Sequence, residues 1–121
     1  MFLVTTNKTK KLLYLSFIGR VTAEELKRAS QDMPALLADL PPEMNLLVDL
    51  ERLETMDADC AEQLGKSMEL HDQHGVGLLV RVIPDPTKDI GLNILTAFHY
   101  RNRPRTVTCE TMAEAARVLA L

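Results

Sequence analysis

Apolar and polar positions follow two different periods along the chain, and the switches between them mark its elements. Phe2 to Thr6 is a strand-length stretch, followed by the polar run Asn7-Lys8-Thr9-Lys10-Lys11 and a second stretch from Leu12 to Gly19. Two such runs joined by a short polar link predict a β-hairpin. Thr22 and Glu25 have capping-box spacing, and Leu26, Ala29, Met33, Leu36, Leu37 and Leu40 continue with a helical period. Pro34 interrupts that pattern. It leaves open a kinked helix or two abutting pieces with Pro34 in the first turn of the second.

Asn45 to Leu50 is a nearly continuous apolar run, the pattern of a strand covered on both faces. Asp57 or Asp59 can cap a second helix carrying Ala61, Leu64 and Met68 and ending at Gly75. Val76 to Ile83 predicts another buried strand, stopped by Pro84-Asp85-Pro86. Lys88 to about His99 reads as a third helix and Arg105 to Cys109 as a last strand. Thr111 with Glu114 repeats the capping-box spacing and opens a closing helix. The predicted order is ββαβαβαβα. Strands alternating with helices imply parallel crossovers, so the expected class is α/β, as one domain over residues 1–121.

Composition narrows the function classes. The chain has 121 residues, 46% of them hydrophobic, enough for one packed core. Its formal net charge is −3 and it has no Trp, which argues against nucleic-acid partners. The longest apolar run, Leu12 to Ile18, is far short of the ~18–20 residues of a membrane span. The first residues place apolar side chains before lysines, the reverse of a secretory signal. With only Cys60 and Cys109, both read as reduced thiols, the expected location is cytoplasmic.

The central residues carry a more specific pattern. Leu47-Val48-Asp49-Leu50-Glu51-Arg52-Leu53-Glu54-Thr55-Met56-Asp57 resembles the signature of STAS domains, the class of anti-sigma-factor antagonists and of the cytoplasmic tails of sulfate transporters. Gly19, Gly75 and Glu114-Ala115 fall in the matching order, and the Thr22–Glu25 start followed by Pro34 is similar to the SpoIIAA-like branch. The resemblance implies a STAS/SpoIIAA-like fold, a central mixed β-sheet with helices mainly on one face and the hairpin supplying an antiparallel edge. It also implies a non-enzymatic regulatory module that binds a protein partner such as a regulatory kinase or an anti-sigma-like protein. In that family the turn after Met56-Asp57 carries a phosphorylated serine; here Ala58 stands in its place, followed by Asp59 and Cys60. A switch at this position has no hydroxyl to use, and Thr55 is a nearby alternative with nothing else to recommend it.

Candidate chemistry is sparse. Residues 49–62 hold six acids, Asp49, Glu51, Glu54, Asp57, Asp59 and Glu62, against the single base Arg52. Such charge at a helix start opposes phosphate binding, and no glycine-rich phosphate loop is present. The expected partner surface is therefore the loop and helix start Leu53, Glu54, Thr55, Met56, Asp57, Ala58, Asp59 and Cys60, offered to a basic partner. Cys60 gains from the helix dipole and loses to the acids around it. His71 and His74 share a helix face but supply too few ligands for a metal site. No cofactor motif and no nucleophile–base pair can be assembled. Arg101, Arg103 and Arg105, with Lys8, Lys10 and Lys11, are the only basic concentrations. The third helix is apolar around much of its circumference, leaving Leu92, Leu95 and Phe98 to line an apolar-ligand or lipid site, or a homodimer surface. A small apolar-ligand carrier is the alternative function.

Overall fold

The computed structural model describes residues 1–83, 101–102 and 104–120. Its elements are β1 (Phe2–Asn7), β2 (Leu12–Val21), α1 (Ala23–Ala38), β3 (Met44–Met56), α2 (Cys60–His74), β4 (Val76–Val82), β5 (Arg105–Cys109) and α3 (Met112–Leu119). The five strands form one sheet in the order β1-β2-β3-β4-β5. β1 is the antiparallel edge, and every other pairing is parallel. The predicted helix between β4 and β5, with Leu92, Leu95 and Phe98, lies outside the described residues.

Alternation along the strands builds two cores. Leu13, Leu15 and Phe17 of β2, Leu46 and Leu50 of β3 and Leu79 of β4 pack with Leu26, Met33 and Leu37 of α1 and Cys60 and Leu64 of α2. Leu12, Leu47, Val80 and Val82 point the other way and pack with Cys109 and with Ala115 of α3. Two of the three described helices thus share one face, and α3 covers the opposite one.

Helix starts follow local chemistry. Thr22 accepts the Glu25 N–H and Glu25 returns a carboxylate to the Thr22 N–H at 2.9 Å, completing the capping box of α1. α1 then runs unbroken through Pro34 to Ala38, which settles the alternatives left by the sequence. Ser30 donates its hydroxyl to the Leu26 carbonyl or meets Ser67 of α2 at 3.1 Å, so the two helices touch through small polar side chains. At the far end of α2, Gly75 takes a positive φ of 105°, and a Cβ there would approach the Glu43 backbone nitrogen to 3.3 Å. Only glycine turns directly from α2 into β4 at this point.

β3 is much longer than its apolar run. The sequence predicts Asn45 to Leu50, whereas pairing continues to Met56. Residues 44–49 lie between β2 and β4, while Arg52 to Met56 pair only with the end of β2. That half is covered from one side only, so Glu51, Arg52, Glu54 and Thr55 reach solvent from within a strand. A register shift between the Ser16 and Ile18 pairings lets Leu50 and Leu53 both reach the α1–α2 core despite their odd separation.

Candidate functional site

The C-terminal ends of β2 and β3 meet where α1 and α2 begin. The Asp57 N–H donates to the Val21 carbonyl at 3.3 Å, and the Cys60 thiol reaches the same carbonyl at 3.5 Å. The Asp57 carboxylate accepts Arg20 Nε at 3.3 Å and Nη2 at 3.2 Å. Arg20 carries no sequence signal of its own. Its place opposite the turn follows from the parallel β2–β3 register, in which Arg20 pairs with Thr55.

These contacts revise the roles expected for the acids. Asp57 is occupied by Arg20, and Asp59, at the N-cap position of α2, makes no side-chain capping bond because its backbone is already helical at φ −72°, ψ −7°. Neither carboxylate caps the helix. Asp49 is buried, accepting the Tyr14 hydroxyl at 3.0 Å and the Glu51 N–H at 2.9 Å. Glu62 pairs with Lys66 one turn along α2 at 3.3 Å. Glu51, Glu54 and Asp59 remain exposed, with no ion pair among the described residues.

The eight residues of the expected surface divide by burial. Leu53 and Cys60 are buried in the α1–α2 core and Met56 packs against it, so these three shape the turn from beneath. Glu54, Thr55, Ala58 and Asp59 are exposed, and Asp57 is half-buried. Ala58 sits between the two aspartates with its methyl in solvent. Burial first, then Asp57 and Asp59, pushes the Cys60 thiol pKa up. Burial raises the Cys109 thiol as well.

The remaining candidates serve the fold. His74 meets the Leu40 carbonyl at 2.8 Å, tying the end of α2 to the loop after α1. His71 is buried against the sheet, which pushes its pKa down to about 4, with His74 adding a smaller effect. Asp72 accepts the backbone N–H groups of Arg101 and Asn102 at 3.1 and 3.3 Å and the Asn102 side chain at 3.2 Å. Lys8, Lys10 and Lys11 lie at the β1–β2 turn and Arg105 on β5, at opposite edges of the sheet. Arg103 lies outside the described residues.

A cavity of about 40 Å³ lies between α2 and the sheet, walled by Leu15, Phe17, Leu46, Leu64, Met68 and Leu79 and touched by His71 and Arg81. That is room for a few water-sized molecules, well below the roughly 300–1,000 Å³ of small-molecule pockets. No described helix is long and apolar enough to cross a membrane.

No family model matches the chain, and no curated protein matches it. Solved structures do. A Shewanella loihica protein of the DUF3478 family with a SpoIIAA-like fold is similar at a TM-score of 0.73 and 15% identity, covering 98% of this chain and 92% of that one. The anti-sigma factor antagonist SpoIIAA in its unphosphorylated form is similar at 0.64 and 16% identity, covering 99% and 98%. An anti-sigma factor antagonist from Mycobacterium paratuberculosis is similar at 0.59 and 19% identity, covering 100% and 94%. Identities this low carry the architecture and not the activity. The chain has the SpoIIAA-like α/β fold.

Proposed function

We propose that this chain is a non-enzymatic, cytoplasmic, single-domain regulatory module whose β3–α2 turn captures a basic surface of a protein partner. The observation that carries the reading is the division of the acids: Asp57 is fixed by Arg20, while Glu54 near the end of β3 and Asp59 beside Ala58 are exposed to solvent. A turn presenting uncompensated carboxylates favours association with a cationic surface and gives little to an anionic one. Structural neighbours named as anti-sigma factor antagonists support a partner of the anti-sigma kind. Ala58 offers no hydroxyl for phosphorylation, so in this reading association is not interrupted by modification at that position.

The test is affinity capture from the source cell with the wild-type chain and a Glu54→Lys/Asp59→Lys variant. Both positions are exposed, so the reversal leaves the core intact. Capture of a defined partner that is lost in the variant supports the proposal. Equal capture by both chains overturns the surface.

A further inference from the structure

We propose that the outer edge of β1, unpaired among the described residues, is a self-association surface, on which β1 of a second copy of this chain pairs antiparallel. The proposal goes beyond the partner-capture reading and uses none of its surface residues.

The backbone direction is fixed by the hairpin. Met1 and Ile18 exchange both of their backbone hydrogen bonds, the Ile18 N–H donating to the Met1 carbonyl at 2.8 Å and the Met1 amine to the Ile18 carbonyl at 2.6 Å. In an antiparallel ladder bonded and non-bonded pairs alternate, so Leu3, Thr5 and Asn7 bond inward to β2. Phe2, Val4 and Thr6 therefore direct their N–H and C=O groups away from the sheet. Natural edges carry charges, proline or bulges that discourage such a row from pairing. β5, the opposite edge, begins with Arg105 directly after Pro104. β1 has none of these guards: its sequence, Phe-Leu-Val-Thr-Thr-Asn, is uncharged and its register with β2 is unbroken over all six residues.

The side chains beside the edge favour a copy of the same chain. One groove between β1 and α1 is walled by Phe2, Glu25, Arg28, Ala29 and Asp32 and a second beside it by Phe2, Val4, Ala29, Asp32 and Leu36, with the Glu25 carboxylate already facing the Met1 ammonium at 3.6 Å. Arg28 and Asp32 stand one turn apart, a positive group followed by a negative one. Asp32 has no ion pair among the described residues, and the Arg28 contact with Glu24 is between side chains 71% and 82% exposed, which binds weakly. A two-fold axis through the β1–β1 seam lays the two α1 helices side by side in opposite directions. The Arg28–Asp32 pattern then meets its own reverse, each arginine facing the other copy's aspartate. On the other face of the sheet Leu3, 46% exposed, comes beside its own copy and is covered.

Sedimentation velocity on the full chain over a concentration series tests this. The wild type forms a reversible dimer. Leu3→Lys, Arg28→Asp and Asp32→Arg each weaken it by about tenfold or more. The charge variants give the sharper signature: neither associates with itself, and an equimolar mixture of Arg28→Asp with Asp32→Arg forms a heterodimer. All three positions lie at the surface, and circular dichroism of each variant identifies any that fails to fold, leaving the others to decide. A wild type that stays monomeric at every soluble concentration overturns the proposal. So does a dimer indifferent to the three substitutions, a mixture that does not pair, or a monomer that takes up only an unrelated extended peptide along β1.

Discussion

Arg20 and Asp57, 37 residues apart in sequence, join the last residues of β2 to the turn that follows β3, with guanidinium–carboxylate contacts of 3.2 and 3.3 Å. The pair removes one carboxylate from the free charge of the acidic turn. Its position follows from the parallel register, because Val21 lies opposite Met56 and its carbonyl receives the Asp57 N–H.

Substituting Arg20 with Met separates positioning from stability. Arg20 is 69% exposed and Asp57 34%, so solvent screening limits the cost to about 0.2–1 kcal/mol in chemical denaturation. Partner affinity is expected to fall by more than that loss explains, because Asp57 and the turn lose their fixed orientation. Unchanged affinity shows that Arg20 does not organise the surface.

His71 makes stability depend on pH. Its folded pKa, about 4, lies below the ordinary 6.5 because burial disfavours the imidazolium, with His74 one turn away adding to the effect and Arg81 lining the same cavity. Between those values the unfolded chain binds the proton and the folded chain does not. The contribution is therefore complete above pH 6.5 and declines as pH falls toward 4, by roughly 3 kcal/mol in all. Urea denaturation across this range is expected to show a shallower slope for His71→Gln than for the wild type. Identical slopes contradict the assignment.

Asp72 anchors the chain where it enters β5. Asp72→Ala leaves the donors of Arg101 and Asn102, both exposed residues, to water, and the expected cost is about 0.5–1.5 kcal/mol, read as a lower denaturation midpoint at unchanged m-value. Asp72→Asn keeps one acceptor oxygen and is expected to fall between the two. A midpoint unmoved by either change removes the anchoring role.

Much of the fold was legible because its signals are local. Thr22 and Glu25 form a complete capping box at the predicted place, Thr111 accepts the Glu114 N–H as its spacing predicts, and Gly75 ends α2. The apolar runs at Leu12, Leu46 and Leu78 became the three inner strands. The site was less legible because tertiary contacts assign its charges. Asp49 and Asp57 look alike in sequence, yet one is buried under the Tyr14 hydroxyl and the other is held by Arg20. Leu53 and Cys60 turned inward because the β3 register shift and the first turn of α2 place them over the core. No periodicity in residues 50–60 encodes that shift.

In the proposed function the β3–α2 turn is the partner surface. Amide hydrogen exchange on the chain alone and in complex with its captured partner tests it most directly. New protection is expected to concentrate in residues 54–61, beyond what the Val21–Asp57 and Asp57–Cys60 hydrogen bonds already give in the free chain. Protection that appears only on α3, or only along the β1 edge, with residues 54–61 unchanged, contradicts it.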